Sequence, residues 1–241
     1  MNELIDKLLP LEEGVFLALN RAGSPFWDDA MWTYTGIITW MPMALFIIYI
    51  LLRNQQLKEG ILILGCIALV LIFSHLLSAS FFKPLFKRHR PTHHHDYMNI
   101  VNIVNGFRGA PYGFISGHAT NSFGLAVFFA LLFRNRLVTI SMLFWAALNS
   151  YSRIYLGVHF ISDIVAGLIF GSLVGFLIYQ LYVWIRLHFF EVATVKKKKS
   201  IYSKKSGNIL AAGIILYIAF VILFSPFLTY ISHSIIPASW F

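Results

Sequence analysis

Long apolar stretches separated by short polar ones dominate the chain. A membrane-spanning helix needs about 20 predominantly apolar residues. Six stretches meet this requirement, and the pattern predicts helices near residues 31–53, 61–82, 116–134, 137–156, 160–185 and 208–232. The two substantial polar connections are residues 83–115 and 186–207. The pattern therefore predicts an all-α, polytopic membrane bundle of about six transmembrane helices.

A different pattern precedes the first predicted span. Apolar residues alternate there with charged ones at helical spacing: Leu4, Ile5, Leu8, Leu9 and Leu11 against Glu3, Asp6, Lys7 and Glu12. Such a pattern is typical of a helix that lies in the membrane interface. We expect an interfacial amphipathic segment over residues 1–30 and a transmembrane domain over residues 31–241.

Composition supports the membrane interpretation. Of the 241 residues, 58% are hydrophobic and only 12% are charged, and the mean hydropathy is +0.72. These values exclude an ordinary soluble domain and indicate an integral membrane protein.

Positive charge indicates the orientation of the bundle. Most of the cations outside the predicted spans fall on one side: Arg53, Lys58, Arg134, Arg136, Arg186, Lys196 to Lys199, Lys204 and Lys205. That side is expected to be cytoplasmic. The segment "KPLFKRHRP", Lys83–Pro91, lies on the opposite face, where its four cations, Lys83, Lys87, Arg88 and Arg90, are not explained by orientation. We expect them to face an anion.

Two further segments reach the same outer face, "YGFISGHAT" at the start of the third span and "SRIYLGVHFISD" between the fourth and fifth. Each polar residue in them has a structural explanation by itself. Ser116 could cap a helix, Arg153 could extend to the interface, and His159 could be packed in the core. Their common level in the membrane instead favours a site composed of Lys83, Arg90, Ser116, His118, Arg153, His159 and Asp163.

These three segments resemble, in order, the three signatures of the type 2 phosphatidic acid phosphatase family. The resemblance covers residues 83–163 and departs from the family at Ile115, where proline is usual. It implies a helical membrane bundle and a phosphatase that forms a phosphohistidine intermediate.

The residue types suit phosphoryl transfer, which requires positioning and neutralisation of phosphate charge. Lys83, Arg90 and Arg153 can act as fixed cations, and the planar fork of arginine matches phosphate. Ser116 and Gly117 open a helix whose unpaired N–H groups can bind the same anion.

The two histidines have different sequence environments. His159 and Asp163 are four residues apart and share a helix face, so the carboxylate can hold one ring nitrogen while the other attacks phosphorus. His118 has no carboxylate nearby in sequence, which suits a proton donor to the leaving group. The family resemblance implies the same two roles.

No metal or other cofactor is expected. The segment His93–His95 with Asp96 could ligate zinc, but we expect the side chains of adjacent histidines to diverge. His75 is interpreted as a hydrogen-bonded packing residue. Gly167, Gly171 and Gly175 recur every fourth residue and predict close helix packing within the bundle. The oligomeric state is left open.

The expected function is hydrolysis of a lipid phosphate at the outer face, without nucleic acid. Polyprenyl pyrophosphate, phosphatidylglycerol phosphate, phosphatidate and phosphorylated lipid A are all candidate substrates. The expected location is the bacterial inner membrane, with the site facing the periplasm or the exterior. A lipid phosphotransferase is the nearest alternative. A transporter is less favoured because the polar groups gather at one face, and the soluble vanadate-dependent haloperoxidases are excluded by the hydropathy.

Overall fold

The computed structural model describes residues 5–53, 55–189 and 201–235. Within these ranges the chain forms helices and no strand, which confirms the all-α prediction. The helices are α1 (Leu9–Arg21), α2 (Pro25–Thr35), α3 (Met41–Leu52), α4 (Leu57–Phe86), α5 (Gly117–Phe133), α6 (Arg136–Tyr155), α7 (Ile161–Phe189), α8 (Lys204–Leu223) and α9 (Ser225–Ile235).

The six predicted spans all fall on helices, but their number as membrane crossings is not confirmed. Among the described residues, α4, α7 and α8 are each long and apolar enough to cross a membrane. Helix α2 and the stretch Ile38–Leu52 are long and apolar enough to cross a membrane only when they are taken together. The two segments are bent by 71° relative to each other. Helix α5 is apolar, but its 17 residues make it shorter than the helices that meet this requirement.

Two of the predicted spans are broken rather than continuous. The first breaks at Gly36, whose extended backbone ends α2, and α3 then restarts with Pro42 in its first turn. The last breaks at Phe224, two residues before Pro226 in the first turn of α9. Proline lacks the N–H that a continuing helix requires, so the break before Pro226 has a local cause.

Helices α5 and α7 form the centre of the bundle, and glycines allow their backbones to touch. A Cβ atom at Gly167 would lie 2.8 Å from the carbonyl oxygen of Ser116. One at Gly171 would overlap the carbonyl oxygen of Thr120. The predicted close packing of these glycines within the bundle is confirmed. This contact holds the starts of α5 and α7 together at one end of the molecule.

Helix α1 packs against the long loop that follows α4. Phe16 is fully buried, with its ring 5.2 Å from that of Phe160 and 6.2 Å from that of Tyr97. The buried amide of Asn20 donates to the carbonyl oxygen of Asn102. Helix α1 is therefore fixed beside the first turn of α7.

The predicted division at residue 30 stays a prediction, and α2 runs across that position. The lysines Lys196–Lys199 of the orientation argument lie outside the described residues.

Candidate active site

The candidate site lies where the loop after α4 meets the starts of α5 and α7. Two extended stretches of this loop pair antiparallel, because Arg90 N–H donates to Pro111 O and Gly113 N–H donates to Arg88 O, each across 2.9 Å. Residues two apart on an extended chain point to the same side. Arg88 and Arg90 therefore both reach α7.

His159 and Asp163 form a buried pair at the start of α7. The ring Nδ1 of His159 lies 3.2 Å from Oδ2 of Asp163, and the two side chains are almost fully buried. The same carboxylate oxygen accepts the backbone N–H of Phe160 at 3.1 Å. The predicted four-residue spacing thus produces a carboxylate held by the backbone and facing the imidazole.

Arg90 determines which nitrogen of His159 carries the proton. Its Nη1 lies 2.9 Å from Nε2 of His159, and it also donates to Val158 O at 2.8 Å. A guanidinium only donates, so Nε2 must be the acceptor and Nδ1 must carry the proton. Burial, followed by the charges of Arg90 and Arg153, holds the pKa of His159 well below its usual range. The imidazole is therefore neutral, with the Nε2 lone pair directed toward the cations.

Three cations at this site have no counter-ion. Lys83, Arg90 and Arg153 form no ion pair with any residue of the described ranges. The Nε atoms of Arg90 and Arg153 are buried without a hydrogen-bond partner. Burial lowers the pKa of Arg90 to about 10, so its guanidinium remains charged at neutral pH. Buried donors of this kind are costly unless an anion completes them.

Arg88 has a different environment from these three cations. Its guanidinium is fully buried and pairs with Asp163 at 2.7 Å, Asp6 at 3.0 Å and Glu12 at 3.1 Å. Burial alone lowers the pKa of Arg88, but the carboxylates of Asp163 and Glu12 outweigh burial and raise it above its usual value. The prediction that Arg88 faces an external anion is therefore wrong, because three carboxylates of the chain surround it.

The start of α5 faces the same space. Ser116 is the N-cap of α5, and its hydroxyl accepts the N–H of Ala119 at 3.4 Å. Its own N–H donates to the carbonyl oxygen of Asp163 at 3.1 Å, so this N–H is not available to a ligand. The N–H groups of Gly117 and His118 lack intrahelical partners, as in the first turn of any helix. The His118 ring lies near the cations Arg153, Arg90 and Lys83 and near the neutral imidazole of His159.

One further site residue was not anticipated from the sequence. A Cβ atom at Gly113 would lie 3.0 Å from Oδ2 of Asp163 and 3.5 Å from Nδ1 of His159. Only the pairing of the loop stretches brings Gly113 here, and no sequence signal marks it. The peptide bond between Phe114 and Ile115, before the Ser-Gly-His segment, is cis.

Two other histidine predictions need correction. The side chains of His94 and His95 do not diverge, because their rings stack with centroids 4.6 Å apart. With Asp96 they place three potential ligand atoms within 4.8 Å of one another. However, Nδ1 of His94 already accepts the N–H of Asp96, and His95 and Asp96 are largely exposed. His75 is exposed on α4 rather than packed, and the buried residue beside it is Ser74.

Comparisons with known proteins find similar membrane phosphatases. A lipid A 4'-phosphatase of Porphyromonas gingivalis is 35% identical over 93% of this chain and 95% of its own length. A lipid A 4'-phosphatase of Bacteroides thetaiotaomicron is 43% identical over 73% of this chain and 79% of its own. The crystal structure of a transmembrane PAP2 type phosphatidylglycerolphosphate phosphatase from Bacillus subtilis is 25% identical. It superposes with a TM-score of 0.56 and covers 76% of this chain and 90% of that one.

The sequence profile of the PAP2 superfamily matches residues 59–187, which include the three signature segments and the site described above. The resemblance seen in the sequence is thereby confirmed, and the chain belongs to the PAP2 superfamily of membrane phosphatases.

Proposed function

We propose that this protein hydrolyses the 4'-phosphate of lipid A through a phosphohistidine formed on His159. The lipid is proposed from the two lipid A 4'-phosphatases that match most of this chain. The chemistry is proposed from the site itself.

One observation carries the proposal: three cations without counter-ions lie around a neutral histidine. Lys83, Arg90 and Arg153 supply positive charge for the oxygens of a phosphoryl group, and the buried Nε atoms of the two arginines supply unused donors. Phosphoryl transfer depends mainly on such fixed charge and on alignment. The unpaired N–H groups at the start of α5 can add donors for the same oxygens.

In the first step, Nε2 of His159 attacks phosphorus as the bond from phosphorus to the lipid oxygen breaks. Nδ1–H of His159 donates to Asp163, which stabilises the positive charge that develops on the ring. His118 donates its proton to the departing lipid oxygen. The negative charge of the bound phosphate favours the protonated form of His118 before this transfer.

In the second step, water attacks the phosphohistidine. His118 is now neutral and takes a proton from this water, while the bond from phosphorus to nitrogen breaks and its electron pair returns to Nε2. Inorganic phosphate leaves, and His118 and His159 return to their starting protonation states. Fixed cations take the charge-neutralising role throughout, so we propose that the reaction needs no metal ion.

The site is proposed to face the periplasm, so that its substrate lies in the outer leaflet of the inner membrane. The charge distribution along the chain supports this proposal, because the positive-inside rule predicts that the loop after α4 is exported.

Assay of the purified protein in detergent tests the substrate. The panel contains lipid A with phosphates at both positions, lipid A with only the 1-phosphate, phosphatidylglycerol phosphate and undecaprenyl diphosphate. We expect rapid phosphate release from the doubly phosphorylated lipid A, with a product that retains the 1-phosphate by mass spectrometry. Faster release from another lipid would overturn the proposed substrate. Loss of lipid phosphate without release of inorganic phosphate would instead indicate transfer to an acceptor.

A further inference from the structure

The N-terminal helix α1 contributes a carboxylate to the network behind the candidate nucleophile. Glu12 is buried although it is charged, and both of its oxygens are occupied. Oε1 accepts from Nη2 of Arg88 at 3.1 Å and from the hydroxyl of Ser162 at 2.6 Å. Oε2 accepts the backbone N–H of Ser162 at 2.6 Å. Ser162 lies in the first turn of α7, so Glu12 caps this helix from another part of the chain.

The contacts continue from Glu12 to the imidazole without a gap. The hydroxyl of Ser162 donates to Glu12 and accepts from Nη1 of Arg88 at 2.6 Å. The same Nη1 donates to Oδ1 of Asp163 at 2.7 Å, and Oδ2 of Asp163 faces Nδ1 of His159. Every link is a hydrogen bond between buried or partly buried groups.

We propose that Glu12 is a positioning residue for the reaction of His159 and acts through Arg88, Ser162 and Asp163. This inference rests on the proposed function only in taking His159 as the nucleophile. Residue 12 lies outside the range, 59–187, that matches the family profile. Helix α1 is then part of the catalytic unit.

The physical role of Glu12 is to restrict Arg88. An arginine is fixed in one orientation when several of its donors have partners in rigid geometry. Without the Glu12 carboxylate, Arg88 would keep Asp163 and the partly exposed Asp6, and the N–H of Ser162 would lose its acceptor. The Asp163 carboxylate and the imidazole would then be less strictly oriented. Small misplacements of reacting groups are costly for the rate.

The substitution Glu12→Gln tests the inference, since it keeps the shape of the side chain and removes its charge. We expect kcat to fall by between about 10-fold and about 100-fold, with KM unchanged because Glu12 does not touch the substrate. Glu13→Gln is the matched control: Glu13 is the next residue of α1, is exposed, and accepts from Tyr97 but not from Arg88. It should retain wild-type kinetics. Equal kinetics of the two variants, or a rise in KM alone, would overturn the inference.

A double-mutant cycle separates positioning from a general loss of structure. If Glu12 acts through Asp163, then Glu12→Gln should cost little further rate in an Asp163→Asn background. Additive losses would contradict the inference. If Glu12→Gln does not yield folded protein, Ser162→Ala replaces it in the cycle, since it removes the bridging hydroxyl and leaves the charges in place.

The choice of substrate keeps this inference separate from the proposed function. Rates are measured on p-nitrophenyl phosphate, which also requires attack by His159, and on lipid A. The rates on the aryl phosphate test the role of Glu12, and the rates on lipid A test the proposed substrate.

Discussion

Arg90 donates from Nη1 to Nε2 of His159 across 2.9 Å, so a cation holds the lone pair of the nitrogen that we propose attacks phosphorus. In the proposed reaction a phosphate that enters the site competes for this guanidinium, so binding of the anion is coupled to release of the Nε2 lone pair. The same contact keeps the imidazole in the tautomer that the proposed reaction needs.

Replacing His159 with alanine should abolish turnover, because it removes the nitrogen that is proposed to attack phosphorus. The variant should also form no acid-labile phosphoenzyme when substrate with a radiolabelled phosphate is quenched in base and separated by electrophoresis. An acid-labile phosphoenzyme in His159→Ala at wild-type level would contradict the assignment.

Replacing His118 with alanine should affect substrates according to their leaving groups. A lipid alkoxide needs a proton as it departs, whereas p-nitrophenolate does not, so release from lipid A should fall by between about 100-fold and about 10,000-fold. First-step rates on the aryl phosphate should fall much less, as measured by the burst of nitrophenolate. Equal losses on both substrates would show that His118 is not the acid.

Activity should persist in excess EDTA, because fixed cations neutralise the phosphate. The variant His95→Ala, which removes one potential ligand from the exposed cluster with His94 and Asp96, should be as active as wild type. Vanadate should inhibit, since it mimics five-coordinate phosphorus. Loss of activity in EDTA that zinc or magnesium restores would overturn the metal-independent mechanism.

The orientation can be tested by cysteine labelling. Asn99 lies exposed in the loop after α4, so a cysteine there is accessible to reagent. In a Cys66→Ala background, Asn99→Cys should react with a membrane-impermeant maleimide once the outer membrane is permeabilised, whereas Ser200→Cys should react only after lysis. The reverse pattern would place the site on the cytoplasmic face.

The contact between α5 and α7 predicts a difference between two glycines. Gly171→Ala should destabilise the protein by about 1–3 kcal/mol, because the added methyl overlaps the backbone of Thr120. Gly65→Ala is the control, since a Cβ atom there meets nothing within 4 Å. Helix propensity should make this control slightly stabilising. Thermal unfolding in detergent, followed by tryptophan fluorescence, measures both; similar midpoints would contradict the close packing.

Local sequence patterns were sufficient for the helices and for the close packing at Gly167, Gly171 and Gly175. Apolar length and a four-residue repeat are properties of one segment, and they require no knowledge of neighbouring helices. The same holds for the pairing of His159 with Asp163. By contrast, the bend at Gly36 interrupts a stretch whose hydropathy is continuous, so hydropathy alone could not reveal it.

The surroundings of Arg88 could not be predicted in this way. Its partners Glu12 and Asp163 are 76 and 75 residues away, on opposite sides in the sequence. In the sequence Arg88 is one of four cations within the eight residues from Lys83 to Arg90, and nothing local distinguishes its role from that of Arg90. Only the folded chain shows that one of these arginines is neutralised and that the other is not.

The unneutralised charge of Lys83, Arg90 and Arg153 has a consequence for the evolution of this site. Like charges gathered in a buried space repel one another, so we expect a variant in which one of them is made neutral to be more stable than the protein without a bound anion. We therefore expect selection for thermal stability alone to act against these three residues and selection for turnover to favour them. Screens for stabilised variants should therefore accumulate inactive substitutions at these three positions, while added phosphate offers the active protein the same protection without changing its sequence.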